Sequence, residues 1–332
     1  MNTPQKWLIT GGAGYIGAHV ADVFLANGKD VIIYDSLYRG FESRIEFLNR
    51  KYNKVIPLIA ADIRDTKTFA KTLEEYEPIG IVHTAALKAV GESIESSDEY
   101  YDVNFHATRK ILEIIESYRI NKVIFSSTAA VYGSPGHSNP IKEDAEKKPI
   151  SPYGASKLAA EDEINKFLTK PGNYGTSLRF FNVVGTAAAE LLDKSADNLV
   201  PIVFNKLNAG EPPVIFGTDY QTYDGSCIRD YVDVRDVALA HLAATDSIAT
   251  MPLAMNVGTG KGWSVREVIK LLSVAGGFTD IVAIEDSRRA GDPAFLCADV
   301  SLILSTLEFT SKYSLDVSIA DFYRQISSKQ HP

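Results

Sequence analysis

Trp7-Leu8-Ile9-Thr10-Gly11-Gly12-Ala13-Gly14-Tyr15-Ile16-Gly17 decides how the rest of the chain is read. An apolar run meets glycines spaced Gly-x-x-Gly-x-x-Gly, and a helical stretch, Gly17–Asn27, follows at once. The order is strand, turn, helix. Gly11 permits the tight turn, Gly14 lets a ligand approach the backbone, and Gly17 lets the helix pack on the strand. The N–H groups opening the helix then face an anion, as a pyrophosphate would be.

Outward from this turn the pattern repeats. Trp7–Thr10, Asp30–Tyr34, Val55–Ala60, Gly80–His83, Lys122–Ser126 and Ser177–Phe181 read as strands. Gly17–Asn27, Ser43–Tyr52, Thr66–Tyr76 and Asp98–Tyr118 read as helices between them. Alternation of this kind implies an α/β fold, a doubly wound parallel sheet covered by helices on both faces. After Asn182 the character changes. A loop at Gly185–Asp197 precedes a helix at Leu199–Asn208, a strand at Val214–Gly217 and turns over Asp219–Gly225. A helix at Val234–Thr245, a strand at Met255–Val257 and a helix at Ser264–Val274, capped by Ser264 and Glu267, follow. We expect a dinucleotide-binding domain over 1–181 and a smaller, interleaved α/β domain over 182–332. Segments near 230–258 return to the first.

Composition excludes several classes. The chain has 332 residues, 45% of them apolar, so it can bury a core without staples. Its net charge of −8 argues against nucleic acid and anionic membranes as partners. Cys227 and Cys297 match neither a disulfide framework nor a metal-ligand spacing, and they read as free, partly buried thiols. No secretory leader and no run of about 18 apolar residues is visible, which suits a cytoplasmic protein.

Asp35 ends the second strand 18 residues after Gly17. A carboxylate there bonds the adenosine ribose hydroxyls and repels a 2′-phosphate, which favours NAD over NADP. Arg39 nearby is the one contrary sign. Asp62-Ile63, after the third strand, could frame the adenine, and Asp62 could equally be a helix cap.

Ser126-Ser127-Thr128 closes the fifth strand, where a doubly wound sheet binds its ligands. Ser126 and Thr128 should therefore point into the crevice. Tyr153 and Lys157, four apart on a helix, share one face. To act as a base near neutrality a tyrosine must shift by roughly three units from about 10, worth about 4 kcal/mol. Lys157 and a positively charged nicotinamide would both favour the phenolate.

These residues, in this order, resemble the extended short-chain dehydrogenase/reductase superfamily, with its Rossmann-type sheet, and within it the UDP-glucose 4-epimerase family. The likeness covers nearly the whole chain. Its most specific segment is Leu87-Lys-Ala-Val-Gly-Glu-Ser93, joined by Glu99-Tyr-Tyr-Asp102 with Asn104, Ser151-Pro-Tyr-Gly154 and Arg179-Phe-Phe-Asn182. Ile215-Phe-Gly217, Tyr223-Asp-Gly225, Arg229-Asp-Tyr231 and Arg288-Arg-Ala-Gly-Asp292 extend it. The resemblance implies C4 epimerisation of a UDP-hexose with NAD, by a homodimer packed through Asp98–Tyr118 and Ser156–Leu168. Tyr153 would take the O4 proton, Thr128 would relay or position it, and Lys157 would hold the ribose. Cofactor contacts would come from Gly11, Gly14, Tyr15, Ile16, Gly17, Asp35, Asp62, Ile63, Ala85, Ala86, Lys88, Asn104, Ser126 and Phe181. Lys88, Asn182, Asn198, Leu199, Val214, Phe216 and Tyr231 would meet the nucleotide sugar. Arg229 and Arg289 would hold its diphosphate and Asp292 its ribose.

Three positions depart from the family pattern. Thr84-Ala85-Ala86 replaces a more usual Phe-Ala-Gly, and Val183 replaces a common proline. Leu296 stands where a tyrosine excludes an N-acetyl group or a smaller residue admits one. A 4-epimerase of UDP-N-acetylhexosamine, UDP-pentose or UDP-glucuronate is therefore a rival reading. A 4,6-dehydratase needs a carboxylate pair after the active-site threonine, and Ala129-Ala130 supply none. A non-catalytic NAD sensor need not keep Thr128, Tyr153 and Lys157 together.

Overall fold

The computed structural model describes residues 5–136, 139–195, 197–289 and 291–327. Seven parallel strands form its main sheet: β1 (Lys6–Thr10), β2 (Asp30–Asp35), β3 (Leu58–Ala60), β4 (Gly80–His83), β5 (Lys122–Thr128), β6 (Tyr174–Phe180) and β7 (Ala254–Val257). Their order across the sheet is β3-β2-β1-β4-β5-β6-β7. The winding reverses between β1 and β4, so a crevice opens beyond the C-terminal ends of these two strands.

Alternation along each strand sorts side chains between two buried layers. Leu8, Ile32 and Ile81 point toward Phe69, Leu73, Ile111, Ile115 and Ile164, from helices Thr66–Tyr76, Ala107–Ser117 and Pro152–Leu168. Trp7, Ile9, Val31 and Ile33 point the other way, onto Val20 and Phe24 of helix Tyr15–Ala26 and Val237 and Leu242 of helix Val234–Asp246. That last helix and β7 join the main sheet from late in the sequence.

A second, smaller sheet is built on Ile228–Asp233, which pairs in parallel with Asn182–Val184 and Phe295–Leu296 and antiparallel with Gly262–Ser264. Val214–Phe216 pairs with Ile284–Asp286 alone. Helices Leu199–Asn208, Val265–Gly276 and Leu315–Ser327 bury Val203, Leu272 and Phe322 against this sheet. The capping box at Ser264 and Glu267 is present, and both cysteines are free and buried. No described helix is long and apolar enough to cross a membrane.

Two elements differ from the sequence reading. The third strand begins at Leu58, because Pro57 has no N–H to give and Val55 is exposed. The helix expected over Asp98–Tyr118 is broken into α, π and α segments, with the π turn at Asp102–His106. The wider turn brings Asn104 against the backbone of Leu87, whose N–H it accepts at 2.8 Å and whose carbonyl it donates to at 3.0 Å.

Buried polar groups tie the layers together. Arg179 on β6 grips Glu161 of helix Pro152–Leu168, with Nε 3.0 Å from Oε2. Ser127 on β5 donates to the same carboxylate at 2.6 Å, and Arg179 also reaches the Tyr132 hydroxyl at 2.8 Å. Three histidines are fixed as neutral rings. His241 donates Nδ1–H to the Val237 carbonyl, so its Nε2 accepts the Ser126 hydroxyl at 2.8 Å. His83 donates to Thr108, whose own proton goes to Asn104, and accepts from Thr10. His19 donates to the Tyr15 carbonyl and accepts the Ala187 N–H. Each ring has one donor and one acceptor role, which a protonated imidazole cannot fill.

Removing Glu161 would strand the Arg179 charge, so Glu161→Ala should destabilise the fold by about 3–5 kcal/mol in urea unfolding. A Glu161→Leu/Arg179→Met double variant should recover most of that loss. Burial pushes His19, His83 and His241 down from 6.5 to about 4, 3 and 4. The unfolded chain therefore takes up protons below about pH 6.5 while the folded one does not, and these groups lose stability as pH falls toward 4. Unfolding free energy measured against pH should show a shallower acid loss in His241→Gln, by about one proton. An unchanged slope would mean that His241 is already protonated in the fold.

Candidate active site

The glycine turn is as tight as its spacing implies. Gly11 sits at φ +69°, and a β-carbon there would stand 2.7 Å from the Ala85 backbone. One on Gly17 would stand 2.2 Å from the Gly11 carbonyl oxygen, so this helix can reach its strand only with glycine in place. Helix Tyr15–Ala26 has no side-chain cap and no acid in its first turn, which leaves its first N–H groups available to an anion. Asp35 closes β2 with its carboxylate buried, accepting N–H bonds from Ala13 at 3.0 Å and Leu37 at 2.8 Å. Burial pushes this carboxyl above its ordinary value, against those bonds. A cradle that side chains would fill, a row of free donors and a ribose-side carboxylate fit a dinucleotide.

These features open into a single cleft of about 1350 Å³. Gly11, Gly14, Tyr15, Ile16, Gly17, Asp35, Asp62, Ile63, Ala85 and Ala86 line it around the ends of β1 to β4. Ser126, Thr128, Tyr153, Lys157 and Phe181 line its floor. Lys88, Asn182, Asn198, Leu199, Arg229, Tyr231, Asp292 and Leu296 line the opposite side. Four anticipated residues do not face it. Asn104 stands behind the wall, bonded to Leu87 and 3.1 Å from the Ser156 hydroxyl. Val214 and Phe216 lie in the separate two-stranded pair, and Arg289 stacks on the Phe216 ring at 4.0 Å.

Several side chains carry bonds that the sequence did not reveal. The Ser126 hydroxyl donates to His241. Asp62 is held by paired bonds from Arg64, which hold its carboxyl below the ordinary value. Arg39, the contrary sign for NADP, is engaged by Glu92 in an ion pair. Arg229 pairs with Asp292. Lys88 donates to the Ser195 hydroxyl at 3.0 Å.

Helix Pro152–Leu168 begins at Ser151, whose hydroxyl accepts from the Gly154 N–H at 3.1 Å, and this fixes Tyr153 and Lys157 in its first two turns. The chain alone does not lower the tyrosine. Burial pushes the Tyr153 phenol up, and only the Thr128 hydroxyl beside it pulls it down. Burial also pushes Lys157 down to about 7, with Glu161 pulling the other way. Its Nζ rests 4.0 Å from the Phe125 ring centroid. Desolvation thus drives both groups toward their neutral forms. Sequence reasoning missed Glu161 and Arg44, and gave Arg179 no role, because a charged residue at a helix or strand position reads as solvated. No described group of three His, Cys, Asp or Glu could hold a metal.

Comparison with known proteins agrees with this arrangement. The model of the NAD dependent epimerase/dehydratase family matches residues 7–258. The chain is 36% identical to the UDP-glucose 4-epimerase of Halalkalibacterium halodurans over 332 aligned residues, covering 98% of this chain and 96% of that one. It is 37% identical to the UDP-glucose 4-epimerase of Azospirillum brasilense, covering 92% and 87%. The crystal structure of UDP-glucose 4-epimerase from Bifidobacterium longum in complex with NAD+ and UDP superposes with a TM-score of 0.91. That match spans 98% of this chain and 99% of that one at 34% identity. A fingerprint cradle, a tyrosine and lysine on its floor and full-length likeness lead to one assignment: the chain belongs to the NAD dependent epimerase/dehydratase family.

Proposed function

We propose that this protein interconverts UDP-galactose and UDP-glucose by transient oxidation at C4 and re-reduction on the other face. The observation that carries the reading is half-buried Tyr153 and buried Lys157 together on the floor of a cleft shared by a dinucleotide cradle and a wall bearing Arg229. NAD, when bound, supplies the hydride acceptor and donor and, in its oxidised form, a positive charge. Gly11, Gly14, Gly17 and Asp35 would hold it, with Lys157 at its nicotinamide ribose.

Tyr153 takes the O4 proton and later returns it. Because burial favours its neutral phenol, the base forms only when the cleft contains fixed positive charge. Lys157, with a value near 7, is poised to share that proton movement. Thr128 sits beside the phenol and steers the proton. Arg229 offers paired donors to the diphosphate once its bond to Asp292 opens, which frees Asp292 for the ribose. A substrate anchored by its nucleotide and loosely held at its hexose can present either face of C4.

Leu296 supports a broader substrate range. Its half-buried side chain faces the cleft from the strand position paired with Arg229, and it is less bulky than tyrosine. A UDP-N-acetylhexosamine is therefore the second substrate we put forward. We also read the protein as a cytoplasmic homodimer. Its partner would pack on Asp98–Tyr118 and Ser156–Leu168.

Purified protein with no added NAD should convert UDP-galactose to UDP-glucose, and UDP-N-acetylgalactosamine at a measurable rate. Tyr153→Phe should lower turnover by about 10²–10⁴-fold while leaving UDP binding intact. Retained turnover in that variant would remove Tyr153 from the chemistry. Equilibrium sedimentation at micromolar concentration should give twice the 36.3 kDa chain mass, and a single-chain mass would defeat the dimer.

A further inference from the structure

Arg44 lies on helix Glu42–Tyr52, outside every motif read from the sequence, and is 2% exposed. Its guanidinium forms part of the cleft wall. Nη1 donates to the Ala13 carbonyl inside the glycine turn at 3.0 Å, and Nη2 donates to the Leu192 carbonyl at 2.7 Å. One buried side chain therefore joins the cofactor cradle to the segment that leads into the nucleotide-sugar wall. Nε has no hydrogen-bond partner. A buried guanidinium with an unmet donor is costly unless position is what it supplies.

Two further bonds tie the same segment to the same cradle. The Tyr15 hydroxyl donates to the Gly185 carbonyl at 2.6 Å, and the Ala187 N–H donates to His19 Nε2 at 3.1 Å. The segment turns sharply at Gly185, with φ +84°, where a β-carbon would stand 2.3 Å from the Asp233 carboxylate. Beyond Leu192 the bonds continue along the cleft. Asp193 accepts from the Ser195 N–H at 2.9 Å, and from the Asn198 side-chain amide. Asn198 stands directly before helix Leu199–Asn208.

We propose that Arg44 is a positioning residue: it sets the Asp193–Asn198–Leu199 wall in register with the glycine cradle, so that NAD and the nucleotide sugar bind with positive coupling. This rests on the epimerase reading for the identity of the second ligand. Anything that orders Ala13 and its neighbours orders Leu192 through the shared guanidinium. By linkage, the wall must act on NAD by the same factor. Asp35 and Asp193 both support the Arg44 charge, one from each side of the cleft, against the burial that weakens it.

The test is calorimetric titration of UDP into NAD-depleted and NAD-saturated protein, alongside KM and kcat for UDP-galactose. In the wild type, NAD should tighten UDP by 5-fold or more, the lower end of ordinary coupling. In Arg44→Met the response should fall to within twofold of none. KM should rise more than kcat falls, and Arg44→Lys should restore the coupling in part. A merely structural role would lower thermal stability and leave coupling and KM unchanged, and that result would overturn the proposal. Should Arg44→Met fail to fold, His19→Leu removes the parallel bond to Ala187 and should show the same, smaller loss of coupling. UDP affinity indifferent to NAD in an active wild type would sink the coupling alone. NAD-dependent UDP binding without turnover would support the coupling and sink the epimerase reading.

Discussion

Lys157 is buried beside Tyr153 with its ammonium 4.0 Å over the Phe125 ring, and the site depends on that burial. Water around the lysine would return it toward its ordinary value. Holding the lysine buried requires a helix that cannot shift and a strand end that cannot open. Much of the second half of the chain contributes to that rigidity.

The helix is fixed by charge as well as by packing. Glu161, one turn after Lys157, is locked by Arg179 of β6 and Ser127 of β5. Because Ser127 lies between Ser126 and Thr128, its hydroxyl serves the anchor while the two outer residues line the cleft, Ser126 with its own hydroxyl bonded to His241. Arg179 extends the anchor to Tyr132, and Tyr132 donates to Asn256 of β7 at 2.7 Å. A late strand thus braces the helix that carries Tyr153 and Lys157, which is a physical reason for a chain that returns to its first sheet. Such a network stabilises only when every member is satisfied.

The main sheet was legible because its strands are apolar runs and its glycines have no other use at that spacing. Tyr153, Lys157 and Thr128 were legible because the order strand end, then tyrosine and lysine, follows the glycine turn. The smaller sheet was not. Asn182–Val184, Gly262–Ser264 and Phe295–Leu296 are two or three residues long and owe their form to the central Ile228–Asp233. That central strand is fully buried, yet it reads Ile-Arg-Asp-Tyr-Val-Asp, and its charges hid it. Arg229 meets Asp292, Asp230 accepts N–H bonds from Thr259 and Gly260, and Asp233 grips Arg235. Apart from Arg235, two residues from Asp233, these partners lie far off in sequence, where periodicity does not reach. Arg44 was missed for the same reason: both its acceptors are backbone carbonyls, one of them 148 residues away.

Transient oxidation inverts C4 by removing one hydrogen as hydride and restoring it to the other face. The most direct measurement is the conversion of UDP-galactose to UDP-glucose in D2O, with the product read by NMR at C4. A hydride that leaves and returns without meeting solvent should give UDP-glucose with protium at C4. Deuterium at that carbon would mean exchange with solvent during the reaction, and would contradict the account of Tyr153 acting on O4 alone.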